Sequence, residues 1–306
     1  MNIIFMGTPD IAAGVLDALI KSRHTVLAVV TQPDRPNARG NEIIFSPVKK
    51  LALDNGIEVF QPEKASNPEF VGKLAELKPD IIVVAAFGQL LKTNLLELPR
   101  YGCINVHASL LPKYRGASPI QWSIINGDSE TGVTIMHMAA GLDTGDIILQ
   151  KKIPLDGTET AGSLYDSLTE LSGPTLLEAL DKIEDGTAER IPQDDSKSCY
   201  VSVLKKSMGL LDFNKSAVET ERLIRGLIPW PGAYMYLKNG KMLKIWKCAA
   251  REDKCAEDPG QVVIEDNRLF ISASEGSLEI FELQLEGKKR MKTEDFLRGS
   301  AKLLQE

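Results

Sequence analysis

Asp80-Ile-Ile-Val-Val-Ala-Ala86 places six apolar residues in a row behind a single acid. A strand with one wet face alternates apolar and polar residues, whereas an unbroken apolar run suits a strand buried on both faces of a parallel sheet. Working outward, residues 2–6 and 26–31 are similar short runs, and 58–60 is a further strand candidate. Helical patterns lie between them. Ile11, Val15, Leu16 and Leu19 recur at helical spacing, Ser46-Pro47 opens a second helix, and residues 68–77 form a third. This alternation predicts an α/β, Rossmann-like doubly wound N-terminal domain. Thr8 is the expected cap of the first helix, with Pro9 at its first position and Asp10 complementing the dipole. Gly7 and Gly14 do not make the G-x-G-x-x-G pattern, so a Rossmann-like topology here carries no dinucleotide signal.

The pattern changes near residue 190. Residues 191–198 are polar and aperiodic, as in a linker, and an amphipathic helix is expected over 217–226. Short alternating strands follow at 234–237, 242–247, 261–265, 268–274 and 277–285. Asn239-Gly240, Asp266-Asn267 and Glu275-Gly276 mark turns between them. This predicts a small antiparallel OB-like β-barrel. The expected division is a domain over 1–189, a linker over 190–206 and a second domain over 207–306.

Bulk properties narrow the function. With 306 residues, 43% hydrophobic and 25% charged, the chain suits a soluble protein of about two domains. A net charge of −6 argues against an overall electrostatic grip on nucleic acid, while leaving a local basic surface open. Cys103, Cys199, Cys248 and Cys255 form no C-x-x-C pair, and His24, His107 and His137 give no zinc spacing, so no metal is expected. The opening residues lack the basic region of a targeting peptide, and no apolar run is long enough to span a bilayer. The expectation is a cytoplasmic protein with reduced thiols and no membrane partner. Without a long apolar surface helix, a monomer is expected.

The chemistry concentrates in Asn105-Val-His-Ala-Ser-Leu-Leu-Pro-Lys-Tyr-Arg-Gly116. Residues 103–107 read as a strand, which puts Asn105 and His107 on one face and Ile104 and Val106 on the other. In an open α/β sheet, ligands bind at the C-terminal strand ends. Ser109-Leu110-Leu111-Pro112 is an apolar loop able to wall a pocket. Residues 131–138 read as another strand, and Gly141-Leu-Asp-Thr-Gly145 as a tight loop that carries Asp143 into a cleft. The plainer alternatives are a structural imidazole at His107 and an Asx-turn at Asp143. Together, an amide donor, an imidazole and a carboxylate suit acyl transfer to an amine. Asn105 can stabilise an oxyanion, and His107 and Asp143 can move protons. No Ser or Cys is paired with a base, which favours direct transfer over an acyl-enzyme.

On Asn105-Val-His107, Ser109 to Pro112, Tyr114-Arg-Gly116 with Pro119, and Leu142-Asp-Thr-Gly-Asp146, the chain resembles the formyltetrahydrofolate-dependent formyltransferases. The separation of His107 and Asp143 matches as well. Gly7-Thr-Pro-Asp10, Thr31-Gln-Pro-Asp-Arg-Pro36 with Arg39-Gly40, Ser46-Pro-Val-Lys49, Pro229-Trp-Pro-Gly-Ala-Tyr234 and Gly287-Lys-Lys-Arg-Met291 extend the resemblance over essentially the whole chain. They point to the members that formylate the methionine carried by initiator tRNA. The resemblance implies 10-formyltetrahydrofolate as formyl donor, the methionine α-amine as acceptor, and no metal. It implies Asn105, His107 and Asp143 as the catalytic set. The folate pocket is then lined by Ser109, Leu110, Leu111 and Pro112, with Val84, Ala86 and Phe87. tRNA contacts are implied for Arg35, Arg39, Lys288, Lys289 and Arg290. Asn41-Glu42 stands where that family's loop is usually basic, which weakens the expected phosphate grip there. Rival readings are a formyltransferase acting on an amino-sugar nucleotide or on glycinamide ribonucleotide, a formyltetrahydrofolate hydrolase, and a non-catalytic tRNA- or folate-binding protein.

Overall fold

The computed structural model describes residues 1–36 and 44–304. They form two compact units. One comprises Met1–Pro119, Thr131–Ile153 and Tyr165–Val201, the other Ile120–Glu130, Pro154–Leu164 and Ser202–Glu306.

In chain order the first stretch gives β1 (Asn2–Gly7), α1 (Asp10–Ile20), β2 (Thr25–Val30), α2 (Pro47–Asp54), β3 (Glu58–Phe60), α3 (Pro68–Glu76), β4 (Ile81–Ala85), α4 (Thr93–Leu96), β5 (Cys103–His107) and β6 (Arg115–Gly116). After α5 (Pro119–Ile125) come β7 (Glu130–His137), β8 (Ile147–Pro154), α6 (Ala161–Glu184) and β9 (Tyr200–Val201). The main sheet has the order β3-β2-β1-β4-β5-β7-β8. Its first five strands run parallel. All five residues of β4 are buried, as its unbroken apolar sequence requires. β7 pairs antiparallel with β5, so the sheet is mixed. An antiparallel neighbour needs no same-sense crossover, and mixed edges of this kind are common on parallel sheets. Strand order reverses about β1, which lies between β2 and β4. The ligand crevice of such a sheet therefore opens at the C-terminal ends of β1, β4 and β5.

The start of α1 differs from expectation. Pro9, not Thr8, is the N-cap, and no cap side chain bonds to the helix. The Tyr165 hydroxyl instead accepts the Ile11 N–H at 2.7 Å. A free helical N–H is thus satisfied from α6, and Thr8 Oγ1 turns toward Gln32 N and Thr31 Oγ1. α2 follows its sequence signal, with Ser46 Oγ accepting the Lys49 N–H at 3.1 Å and Pro47 at the first turn.

The second unit holds α7 (Ala217–Gly226), β10 (Ala233–Tyr236), β11 (Met242–Arg251), β12 (Val262–Glu265), β13 (Arg268–Ser272), β14 (Ser277–Leu285), β15 (Met291–Lys292) and α8 (Thr293–Ser300). Its strands make a six-stranded sheet of order β10-β11-β14-β13-β12, with β15 added to β14. Every pairing in it is antiparallel. Asp266 and Asn267 both take positive φ, 47° and 59°, as a two-residue hairpin between β12 and β13 demands. Ser216 and Glu219 form a reciprocal capping box on α7. Leu243, Ile245, Leu269, Ile271, Leu278 and Phe296 fill the core.

Candidate active site

β5 carries Asn105 and His107 toward the crevice. The backbone of Asn105 lies between Val84 of β4 and Met136 of β7, while Ile104 and Val106 are buried. Asn105 is half-buried and His107 is only 6% exposed. His107 Nε2 lies 2.9 Å from the carbonyl oxygen of Tyr114. A carbonyl can only accept, so Nε2 carries the hydrogen. In the neutral ring Nδ1 then holds the lone pair. Asp143 Oδ2 stands 3.8 Å from that nitrogen, beyond hydrogen-bond range. The imidazole is oriented at one nitrogen and open to a proton at the other, with a carboxylate beside it.

Asp143 sits at φ 53°, in the left-handed region, and its Oδ2 accepts the Gly116 N–H at 2.8 Å. That bond spans 27 residues of chain, so the carboxylate is fixed from outside its own turn. Glycine is required twice nearby. A Cβ on Gly145 would lie 1.7 Å from the His137 carbonyl oxygen, and one on Gly116 would lie 2.4 Å from that of Val201. These approaches hold the Asp143 loop against β7 and β6 against β9.

The aperiodic segment expected as a linker makes many of these contacts. β9 pairs in parallel with β6. Arg115, 2% exposed, donates from Nε and Nη2 to Gln193 Oε1 at 3.1 and 2.9 Å, and from Nη2 to Asp195 Oδ1 at 2.7 Å. Its Nη1 reaches the Tyr200 hydroxyl at 3.3 Å. Gln193 Nε2 in turn donates to the carbonyls of Asp143 and Gly145 at 2.9 and 2.8 Å. The segment lacks periodicity because its partners are scattered: a guanidinium, two loop carbonyls, a single backbone bridge from Ile191 to Ile147 and a distant two-residue strand. Sequence reasoning missed Gln193, Asp195 and Tyr200. Only Arg115 carried a signal, as part of Tyr114-Arg-Gly116.

The residues expected at the folate pocket divide. Leu110 and Pro112 are half-buried and Leu111 is buried. Ser109 Oγ donates to the Lys113 carbonyl at 2.7 Å, while Thr134 and Gln150 bind the backbone of Ser109 and Leu111. The loop is therefore pinned to β7 and β8. Ala86 is exposed at φ 44°, just past β4. Val84 and Phe87, 4% and 2% exposed, belong to the core with Ile4, Met6 and Leu74. Of these last three, Ala86 alone is open to solvent. Cys103, at the start of β5, is pushed up to about 12 by burial and donates toward the Leu95 carbonyl, so it is no thiolate nucleophile. His137 is held below its ordinary range by burial and by the charge of Arg190, which keeps it neutral.

The basic residues are spread more widely. Arg35 is exposed, on a loop anchored where Lys49 pairs with Asp34 and Gln61 binds both. Arg39 and Asn41-Glu42 lie outside the described residues. Lys288 and Lys289 are exposed, and Lys288 Nζ lies 3.3 Å from Ser300 Oγ. Arg290 is already engaged by Glu282, and its guanidinium lies 4.8 Å from the centre of the Trp246 ring. Among the described residues no group of three or more His, Cys, Asp or Glu could hold a metal, and no helix is long and apolar enough to cross a membrane.

Residues 1–180 match the Formyl transferase family and 203–301 match the Formyl transferase, C-terminal domain family. A methionyl-tRNA formyltransferase of Lachnospira eligens is 53% identical over 98% of this chain and 97% of its own length. One from Geobacter metallireducens is 48% identical, with 98% and 96% covered. Among solved structures, an N-formyltransferase from Helicobacter canadensis in complex with folinic acid and dTDP-3-aminofucose aligns with a TM-score of 0.69 at 22% identity, covering 91% of this chain and 98% of that one. At that identity the last similarity speaks for the fold. With both halves matched and about half the residues shared over nearly the full length, the chain belongs to the formyl transferase family, alongside relatives named methionyl-tRNA formyltransferase.

Proposed function

We propose that this enzyme transfers the formyl group of 10-formyltetrahydrofolate to the α-amino group of methionine on initiator tRNA, giving N-formylmethionyl-tRNA for translation initiation. The observation that carries this reading is the near-full-length identity to relatives named for that activity. The arrangement of Asn105, His107 and Asp143 agrees with it chemically.

When bound, 10-formyltetrahydrofolate supplies an activated formyl carbon. The half-buried Leu110 and Pro112 and the exposed Ala86 suit one face of an apolar ring system at the strand ends. His107 Nδ1 takes the proton that the attacking amine must lose as its nitrogen bonds to the formyl carbon. The resulting imidazolium is stabilised by Asp143, 3.8 Å away, and held in orientation by the Tyr114 carbonyl. His107 then returns the proton to the departing folate nitrogen as the carbon–nitrogen bond to the donor breaks. The proton count closes without an acyl-enzyme. Asn105, on the same face of β5, donates its amide hydrogen to the charge that builds on the formyl oxygen. Arg35, Lys288 and Lys289 offer charge to tRNA phosphates.

The test is direct. Purified protein is mixed with 10-formyltetrahydrofolate and methionyl initiator tRNA, and the amino acid released by hydrolysis is assayed for N-formylmethionine. Elongator methionyl-tRNA is the parallel control. Formylation of the initiator species supports the proposal, and its absence despite folate binding overturns it.

A further inference from the structure

We infer that Gln193 is a positioning residue for the His107–Asp143 pair, an inference that rests on the acyl-transfer reading above. Gln193 does not touch either reacting side chain. It acts on the backbone that carries Asp143.

The amide can sit only one way. Two hydrogens of the Arg115 guanidinium converge on one atom of the Gln193 side chain, which must therefore be the oxygen. The other atom is then the NH2 group, and it faces two carbonyl oxygens, those of Asp143 and Gly145. A flipped amide would set donors against donors and acceptors against acceptors at all four contacts. The guanidinium is buried, so its charge polarises the amide and strengthens the two bonds beyond it.

Those bonds clasp the backbone on both sides of Thr144. They do so where Asp143 adopts φ 53°, a conformation that a residue with a side chain holds only when its surroundings enforce it. The same segment fixes the other constraint on Asp143. β9 holds β6 in place, and β6 supplies the Gly116 N–H that orients the carboxylate. Released from Gln193, the loop would keep its glycines but lose the clasp that sets the distance from Oδ2 to His107 Nδ1.

The test uses two variants of the full chain. Q193L removes both halves of the bridge. Q193E keeps an oxygen for Arg115 but cannot donate to the two carbonyls. Both are compared with wild type for kcat and KM, and for the 15N shift of His107 Nδ1 in the free protein. With three histidines in the chain, that signal is readily assigned. The expected result is a kcat lower by roughly tenfold to a hundredfold in both variants, the scale of a slightly misplaced catalytic group. KM for 10-formyltetrahydrofolate stays within about twofold, because the binding loop is untouched. The His107 Nδ1 signal moves in both. If wild type formylates no methionyl-tRNA, the functional reading fails, but the His107 signal still tests the positioning role. The inference is overturned if folded Q193L and Q193E leave kcat and the His107 signal unchanged. It is overturned equally if Q193E matches wild type while only Q193L is impaired, since Gln193 would then merely prop Arg115.

Discussion

His107 gives its Nε2 hydrogen to the carbonyl of Tyr114, seven residues further along the chain, at 2.9 Å. The ring is thereby committed to one tautomer, and its basic nitrogen is the one beside Asp143. Asp143→Asn tests what that proximity does. The amide oxygen, standing in the place of Oδ2, can still accept the Gly116 N–H, but it faces Nδ1 without a negative charge. The fold should survive while the imidazolium loses its counter-charge. Single-turnover formylation is expected to fall by about 10²–10⁴, with the melting temperature little changed. A rate close to wild type would remove Asp143 from the proton path.

Asn105 is held between two neighbouring strands, so its side chain can be truncated without releasing the backbone. Asn105→Ala is expected to lower kcat by about 10²–10³, the usual loss for one oxyanion donor. Binding of the folate, measured separately by fluorescence quenching, should change little. A defect confined to binding would assign Asn105 to substrate recognition instead.

Arg290 differs electrostatically from its neighbours, because Glu282 already answers its charge. Each free lysine on phosphate contributes about one to the slope of log affinity against log salt. Lys288→Ala and Lys289→Ala should each flatten that slope for initiator tRNA by roughly one. Arg290→Ala should flatten it by clearly less. Equal effects from all three would show that the Glu282 pair opens when tRNA binds.

Glu279, 5% exposed in the second unit, faces two guanidinium groups. Burial alone would raise its carboxyl, but the hydrogen bonds and charges of Arg268 and Arg251 outweigh it and hold the group below its ordinary range. A carboxyl lowered by folding stabilises fully above its unfolded value and loses that contribution as pH falls through the folded one. Glu279→Gln should therefore cost about 1–3 kcal/mol at neutral pH. The gap from wild type should narrow below about pH 4.3, the ordinary glutamate value. Trp122, Trp230 and Trp246 all lie in the second unit, so tryptophan fluorescence during urea unfolding reads it selectively. A gap that stayed constant down to pH 3 would rule out the linkage.

Local periodicity made much of this fold legible. The unbroken run of β4 marked a buried parallel strand, and alternation placed Asn105 and His107 on one face of β5. Asp266-Asn267 named its own hairpin turn. The relationships that needed the third dimension were hidden. Thr8 looked like a cap because it precedes Pro9, yet the acceptor for Ile11 comes from Tyr165 on α6. Residues 191–198 looked like a linker because nothing in them repeats, although Gln193 and Asp195 reach back to Arg115. Val84 and Phe87, expected at a pocket by resemblance, pack with Ile4, Met6 and Leu74, a set of neighbours that no local pattern announces. A pattern of period two or 3.6 reports which face a residue takes, not which distant side chain meets it there.

The donor that aims Asp143 is the main-chain N–H of Gly116, and this shapes how the site can change over generations. A side-chain donor can be lost through many single-codon changes. A backbone donor is deleted only by proline, since every other residue retains its N–H. At residue 116, larger residues meet a second obstacle, the Val201 carbonyl 2.4 Å from where their Cβ would stand. Inheritance is thus constrained here by shape, and the hydrogen bond that orients the carboxylate is carried by a position whose chemistry is almost impossible to edit.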